Sequence, residues 1–91
     1  MEGLKNKIAI VTGASRGIGR SICLAFAQHG VNIVAAATNE ELLQKTCADV
    51  SALGVQAIAV KCDVSQSAEA DKLVDAAVQK FQRVDILVNN A

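Results

Sequence analysis

Apolar residues along this chain fall into short continuous runs that alternate with longer stretches in which apolar positions recur every three or four residues. The short runs predict buried strands, and the periodic stretches predict amphipathic helices. Strands are predicted at residues 7–12, 32–37, 56–62 and 86–88, and helices at residues 18–29, 40–53 and 67–82. The resulting order, β-α-β-α-β-α-β with right-handed crossovers, predicts an α/β fold in which helices cover both faces of a parallel sheet.

Each predicted helix carries one apolar stripe that is expected to face the sheet. The stripes are Ile18, Ile22 and Phe26 in the first helix, Leu43, Cys47 and Val50 in the second, and Leu73, Ala77 and Phe81 in the third.

The last apolar run, Ile86-Leu87-Val88, is followed by only three residues. A wholly apolar strand is typical of a position covered on both faces, and folded proteins usually protect such an edge. We therefore expect residues 1–91 to be the N-terminal, incomplete portion of a single longer domain, or a truncated product.

Three glycines, at positions 13, 17 and 19, lie between the first predicted strand and the start of the next helix. In that setting Gly13 would allow a sharp turn, Gly17 would let the backbone approach a pyrophosphate, and Gly19 would let the helix pack closely. Amide groups at the helix N-terminus would bind the phosphates. The turn lacks the lysine of a P-loop. The segment predicts a nucleotide-binding turn, with a plain glycine-rich loop as the alternative.

The end of the second predicted strand bears on which dinucleotide would bind. Folds of this type that prefer NAD place Asp or Glu there to hold the adenosine 2′-hydroxyl, whereas this chain has Ala37, Thr38 and Asn39. Arg16 in the glycine turn would supply positive charge to a 2′-phosphate, and Thr38 would supply a hydroxyl donor. This combination favours NADP(H). The alternatives are a solvated turn position for Arg16 and a position leading into the next helix for Thr38.

Polar residues also follow the third and fourth predicted strands. Asp63 comes at the carboxyl edge of the sheet, where it would accept a hydrogen bond from the adenine amino group while the Val64 backbone contacts the ring. Asn89 and Asn90 would bridge strand ends and approach the ribose. A turn role for Asp63 and ordinary loop chemistry for the two asparagines are the alternatives.

Composition narrows the function classes. The formal net charge is zero, from nine basic and nine acidic residues without a basic block, which argues against nucleic acid as the main partner. Cys23, Cys47 and Cys62 are scattered, so we expect buried thiols in a reducing compartment rather than a disulfide framework or a metal site. The sequence shows neither an apolar signal core nor a run long enough to span a membrane, so a cytoplasmic location is expected.

Three segments together resemble the short-chain dehydrogenase/reductase family: Thr12-Gly13-x-x-x-Gly17-x-Gly19, Asp63-Val64, and residues 85–91. The wording of the first segment is most similar to that of 3-oxoacyl-[acyl-carrier-protein] reductases. The resemblance covers the whole chain and implies the first four strands of a Rossmann-type sheet with a nicotinamide dinucleotide site. It implies that this site consists of Gly13, Ser15, Arg16, Gly17, Ile18, Gly19, Thr38, Asp63, Val64, Asn90 and Ala91. Asn89 is similar to the family residue that ties the fourth strand into the sheet.

The resemblance also implies that the catalytic groups lie outside residues 1–91. The family's catalytic serine and its Tyr-x-x-x-Lys motif come well downstream of Asn-Asn-Ala, and this chain contains no tyrosine. In the family, the tyrosine is the acid or base for the carbonyl oxygen, the lysine lowers its pKa, and the serine orients the substrate. We therefore expect no catalytic residue in this chain, which alone would be inactive.

The expected function is that of an NADP(H)-dependent oxidoreductase, present here as its cofactor-binding part. The intact protein would transfer hydride between nicotinamide and a carbonyl or alcohol small molecule, with an acyl thioester such as a 3-oxoacyl thioester among the candidate substrates. Intact relatives are expected to be homo-oligomers. The alternatives are a non-catalytic nucleotide-binding module and a truncated product that does not fold stably.

Overall fold

Four parallel strands form one sheet in a computed structural model of the protein, which describes residues 3–90. The strands are β1 (Ile8–Thr12), β2 (Asn32–Ala37), β3 (Ala57–Lys61) and β4 (Ile86–Val88). The helices are α1 (Gly17–Gln28), α2 (Glu40–Ser51) and α3 (Ser67–Phe81). The predicted α/β class and element order are confirmed, with helix and strand ends shifted by one or two residues.

The sheet has the strand order β3-β2-β1-β4, so β1 lies between β2 and β4. Ile10 in β1 is in register with Val34 of β2 on one side and with Leu87 of β4 on the other. The chain therefore passes from one edge of the sheet to the other between β3 and β4, and α3 makes that crossover. Because parallel crossovers are right-handed, the reversal in direction places α3 on the face opposite α1 and α2.

Alternate residues of each strand enter two separate apolar clusters, one on each face of the sheet. Ala9 of β1 belongs to the cluster that contains Cys23 of α1 and Leu43 of α2. Its neighbour Ile10 belongs to the other cluster, which contains Leu73 of α3. The central strands are therefore buried on both faces, which explains why their sequences are continuously apolar.

The buried face of α1 differs from the predicted one. Ile18 was expected to face the sheet, but it is 72% exposed, while Ile22 and Phe26 are half-buried beside the core. The buried residues of α1 are Gly19, Cys23 and Ala27. These three residues are also spaced at i, i+4 and i+8, and their small side chains let the helix axis lie close to the sheet. The stripe prediction was wrong at Ile18 because it ranked residues by hydrophobicity, whereas close packing selected small size. The predicted stripes of α2 and α3 are confirmed, with Phe81 half-buried.

The two outer strands are less covered than the central pair. Leu87 of β4 is 62% exposed, and no element within residues 3–90 pairs with the outer edge of β4. No helix in the described range is long and apolar enough to cross a membrane.

All three cysteines are buried and unpaired, as expected for small apolar core residues. Burial raises the pKa of the Cys23 thiol to about 12, and the neighbouring Cys47 contributes further to that shift. Burial also raises the pKa of Cys47 and of Cys62. These thiols are therefore protonated and weakly nucleophilic at neutral pH.

Asp85 fixes the start of β4 to the start of β1. Its carboxylate accepts hydrogen bonds from the Ile8 backbone amide at 2.8 Å and from Arg83 Nε at 2.9 Å, and its own amide donates to the Ile8 carbonyl at 2.9 Å. The hydrogen bond from Arg83, followed by that from Ile8, lowers the pKa of Asp85. The interaction is strongest with an ionised carboxylate, so this strand pairing is linked to pH.

Gly19 lies where α1 comes closest to the turn that precedes it. A Cβ at this position would lie 2.0 Å from the carbonyl oxygen of Gly13 and 2.8 Å from Asn90 Nδ2. No L side chain fits without a shift of backbone, because the nearest atom is a main-chain oxygen.

We expect Gly19→Ala to destabilise the fold by about 1–3 kcal/mol, the usual cost of forcing an added group into a packed site. The sign of this change in the free energy of unfolding is informative, because Gly→Ala within a helix ordinarily stabilises it by about 0.5–1 kcal/mol. Chemical denaturation followed by circular dichroism measures the change. Ser21→Ala, on the exposed side of the same helix, is the matched control and should change stability by less than about 0.5 kcal/mol. A gain in stability for Gly19→Ala would contradict the close approach.

We expect Asp85→Asn to flatten the acid limb of the stability curve. Because the folded-state pKa of Asp85 is lowered, its stabilisation is present above the unfolded-state value of about 3.9 and is lost as pH falls through the lower folded-state value. Unfolding measured from pH 6 down to the acid transition should show a shallower loss of stability in the variant. Asp75→Asn on the exposed side of α3 is the control and should retain the unmutated profile. Identical acid limbs for Asp85→Asn and the unmutated chain would refute the linkage.

Candidate functional site

A cleft of about 390 Å³ opens at the carboxyl edge of the sheet, where all four strands end. It is lined by Gly13, Ser15, Arg16, Ala36, Ala37, Thr38, Cys62, Asp63, Val64 and Asn90. These residues come from the turn after β1 and from the ends of β2, β3 and β4. In open parallel sheets, ligands bind at this edge where the strand order reverses, and here the reversal lies at β1.

Most of the predicted site residues meet in this cleft. Those that line it are Gly13, Ser15, Arg16, Thr38, Asp63, Val64 and Asn90. Gly17, Ile18 and Gly19 form the first turn of α1 and are not among the lining residues. Ala91 lies outside the described residues. The structure thus brings the predicted residues to one edge, while their contacts with a cofactor stay a prediction.

Three lining residues were not predicted as part of the site: Ala36, Ala37 and Cys62. Of these, Ala37 entered the sequence prediction only as the strand end that lacks a carboxylate. Ala36 is the penultimate residue of β2, and its carbonyl accepts a hydrogen bond from the Ala14 amide at 3.0 Å. Cys62 is 5% exposed, and its amide donates to the Ala37 carbonyl at 3.1 Å. Small side chains at consecutive strand ends were the available signal, because they leave room for a ligand beside the backbone.

The turn between β1 and α1 leaves the N-terminus of α1 without a capping side chain. Gly17 has a φ of +60°, and a Cβ built on it would meet nothing within 4 Å, so this side of the turn is open. Arg16, the residue before the helix, is extended and makes no side-chain capping hydrogen bond. The first turn of α1 contains no acidic residue. The helix N-terminus therefore keeps its partial positive charge available to an anionic group.

The start of α2 shows the contrasting arrangement. The Asn39 side chain accepts a hydrogen bond from the Leu42 amide at 3.0 Å, and Glu40 and Glu41 lie in the first turn. The N-terminus of α2 is thus satisfied by its own residues. Of these two helices, only α1 leaves its N-terminal amides without a capping side chain.

Arg16, in the turn after β1, and Thr38, directly after β2, line the same cleft. Both residues are exposed, and Arg16 forms no ion pair with any residue in the range 3–90. Between them, Ala37 ends β2 with a methyl group where a carboxylate would repel a phosphate. The cleft therefore combines a free positive charge with a hydroxyl at the end of β2.

Asp63 is held in a turn of its own while it lines the cleft. Its Oδ1 accepts hydrogen bonds from the Ser65 amide at 3.0 Å and from Ser65 Oγ at 2.6 Å. These hydrogen bonds lower the pKa of Asp63, so the carboxylate is ionised at neutral pH. Asp63 therefore has the turn role that was the alternative in the sequence analysis, and it fills that role through Oδ1. Its Oδ2 makes no hydrogen bond to the described residues.

The end of β4 is tied to β1 by one hydroxyl. Thr12 Oγ1 lies 3.3 Å from both the Val88 carbonyl oxygen and Asn89 Oδ1, so its single proton is shared between two acceptors. The same oxygen accepts a hydrogen bond from the Asn90 amide at 2.9 Å. Thr12 thereby positions Asn90 at the cleft, and Asn89 contacts β1 as the family resemblance implied.

Known proteins are similar to this chain in sequence and in fold. The chain is 46% identical over its whole length to an uncharacterized oxidoreductase of Methylorubrum extorquens, of which it covers 37%. It is 41% identical over its whole length to a 3-oxoacyl-[acyl-carrier-protein] reductase of Synechocystis, again covering 37% of that protein. It superposes on the crystal structure of an NAD⁺-bound xylitol dehydrogenase with a TM-score of 0.94 and 36% identity, over 99% of this chain and 35% of that one.

The chain thus spans about a third of the length of these relatives. The superposition confirms the predicted Rossmann-type fold. Residues 7–91 match the sequence model of the short chain dehydrogenases, which takes in the glycine turn and every strand of the sheet. The chain therefore belongs to the short chain dehydrogenase family, whose members are oxidoreductases.

Proposed function

We propose that this chain is the N-terminal cofactor-binding portion of an NADP(H)-dependent oxidoreductase that interconverts a carbonyl and an alcohol. The observation that carries the proposal is the pairing of Arg16 with Thr38 in one cleft, beside a strand end that has Ala37 in place of a carboxylate. A 2′-phosphate placed there would meet a guanidinium and a hydroxyl, both of which donate hydrogen bonds to phosphate.

The remaining parts of the dinucleotide would follow the cleft from this point. The pyrophosphate would lie over the open side of Gly17, against the amides of α1. The adenine amino group would donate to Asp63, and the ring would contact the backbone at Val64. Asn90, and Ala91 beyond it, would approach the ribose. When bound, the nicotinamide supplies or accepts the hydride, while these residues bind and orient the cofactor.

The preference for the phosphorylated cofactor is specific to the residues of this chain. The xylitol dehydrogenase that it resembles binds NAD⁺, so membership of the family does not determine the choice. What supports NADP(H) here is local chemistry: one unpaired guanidinium and no carboxylate from the end of β2. The net charge of the chain does not favour NADP(H) over NAD(H) either, because it is formally zero.

The substrate class rests on resemblance. Similarity to the Synechocystis 3-oxoacyl reductase supports an acyl thioester as one substrate, within the wider class of carbonyl or alcohol small molecules. The chain's length relative to its relatives supports a role as the N-terminal part of a single domain. Homo-oligomerisation and a cytoplasmic location stay predictions.

A second candidate function is nucleotide binding without turnover, as a sensor or scaffold. The same cleft would serve it, because the residues proposed to bind the dinucleotide do not include the family's catalytic groups. The two candidates share the cofactor site and differ in whether a protein containing this segment turns over a carbonyl substrate.

We expect the chain to bind NADPH about 10- to 100-fold more tightly than NADH, the difference that a charge-assisted hydrogen bond of about 1.5–3 kcal/mol supplies. Arg16→Ala should remove most of this preference and leave the affinity for NADH nearly unchanged. Isothermal titration calorimetry of both variants with both cofactors measures the ratio. Adenosine 2′,5′-bisphosphate and AMP provide a second pair of ligands that tests the adenosine half alone.

Gly17→Val is the companion variant for the phosphate turn. Its branched side chain would occupy the open side of Gly17. The affinities for NADPH and NADH should therefore both be lost, whereas Arg16→Ala should lower only the affinity for NADPH. Equal affinity of the unmutated chain for NADPH and NADH would refute the proposed preference. Undiminished binding by Gly17→Val would show that the phosphates lie elsewhere.

We expect the 91-residue chain alone to show no reductase turnover with NADPH and a carbonyl substrate such as an acetoacetyl thioester. General acid–base catalysis contributes about 10²–10⁴-fold, and the family's tyrosine is absent from this sequence. Loss of the near-ultraviolet absorbance of reduced nicotinamide measures turnover. A protein carrying this segment together with a downstream Tyr-x-x-x-Lys is the positive control. Steady consumption of NADPH by the 91-residue chain would contradict the missing-tyrosine argument.

A further inference from the structure

Thr46 of α2 is a fully buried polar residue outside the cofactor cleft. Its hydroxyl accepts a hydrogen bond from Arg20 Nη1 at 3.2 Å and lies 3.5 Å from the backbone carbonyl oxygen of Ser15, to which it donates. A buried hydroxyl is costly unless it is paired. Both of its partners belong to the segment that contains the phosphate turn and α1.

Arg20 is in turn held by Asp49, one helical turn along α2, through an ion pair between Nη2 and Oδ2. Its guanidinium therefore contacts two residues of α2 at once, which the fixed planar fork of arginine permits. The side chains of Arg20 and Asp49 are 28% and 44% exposed, so the ion pair lies at the rim of the helix–helix contact. Thr46 lies beneath it, between the ion pair and the turn.

The hydrogen bond from Thr46 to the Ser15 carbonyl lies next to Arg16, on which the proposed cofactor preference depends. Arg16 follows Ser15 directly, has an extended backbone with φ of −162° and ψ of 174°, and precedes the first residue of α1. Its backbone is therefore held on one side by the helix and on the other by the Ser15 carbonyl. Because Asp49 neutralises Arg20, Arg16 is the cation of this segment that keeps its charge for a ligand.

We propose that Thr46 is a positioning residue for the 2′-phosphate, acting through its hydrogen bond to the Ser15 carbonyl and hence on the placement of Arg16. This inference rests on the proposed preference for NADP(H). The Thr46 hydroxyl contacts the turn at Ser15, which precedes in sequence the α1 amides that would hold the pyrophosphate. Its loss should therefore weaken the contact with the 2′-phosphate more than the contacts that NADPH and NADH share.

Thr46→Val tests this role, because valine keeps the branched shape and removes the hydroxyl. We expect the affinity for NADPH to fall about three- to tenfold, the net effect of one neutral hydrogen bond, while the affinity for NADH changes little. Thr46→Ser keeps the hydroxyl and should restore most of the NADPH-to-NADH ratio. Calorimetric titration with both cofactors gives the ratio, and denaturation of each variant gives its stability.

Val50→Ala is the matched control for loosening of α2. Val50 is fully buried on the same helix and its aliphatic side chain cannot hydrogen-bond to the Ser15 carbonyl, so this variant should lose stability and keep the cofactor ratio. Arg20→Lys is a second test that leaves the core intact. It keeps the charge but cannot hold Thr46 and Asp49 together, so the ratio should fall in the same direction.

The outcomes separate the two proposals. A normal NADPH preference in the unmutated chain with an unchanged ratio in Thr46→Val overturns the positioning role alone. The same holds if Val50→Ala lowers the ratio as much as Thr46→Val, or if Thr46→Ser fails to restore it. Equal affinity of the unmutated chain for both cofactors overturns the NADP(H) preference and the positioning role together.

Discussion

The carboxyl edge of the sheet depends on how closely α1 approaches the turn that precedes it. At Gly19 the helix backbone packs against the Gly13 carbonyl with no space for a Cβ, and Asn90 reaches the same point from β4. This contact sets the direction in which the N-terminus of α1 points. The open side of Gly17 and the extended Arg16 lie directly before this contact, and Asn90, held by Thr12, lies against it. A helix held even one methyl group further away would separate its amides from the ends of the strands.

Small residues also allow close packing between the helix and the sheet away from Gly19. The buried stripe of α1 is Gly19, Cys23 and Ala27, and β2 ends in Ala35-Ala36-Ala37. Where larger side chains would hold a helix away from the sheet, these residues allow the helix to lie near it and leave room at the strand ends. The same small residues that fill one side of the core therefore leave the cleft open at its edge.

Much of the architecture was predictable from periodicity, because strand and helix patterns in this chain are clearly separated by glycine and polar residues. The glycine spacing and the strand ends also placed most of the site, since parallel strands deliver their carboxyl ends to one edge. Two features could not be predicted. Ile18 is exposed because size, rather than hydrophobicity, selected the buried face of α1. The contact of Thr46 with the turn joins positions 31 residues apart through one hydroxyl, which a local pattern does not reveal.

The pairing of β1 with β4 has a consequence for the order in which the site forms. Thr12 bonds to Asn89, and Ile8 bonds to Asp85, each across 77 residues of chain, so the first strand made on the ribosome waits for nearly the last described residues to acquire its second neighbour. Closing a loop of that length costs conformational entropy that local contacts do not repay. The β1–β2 half of the sheet, with its glycine turn, can assemble early, whereas the part of the cleft that Asn90 contributes appears only when β4 docks. The complete cleft therefore forms only after the β1–β2 half of the sheet, once the chain has been made as far as Asn90.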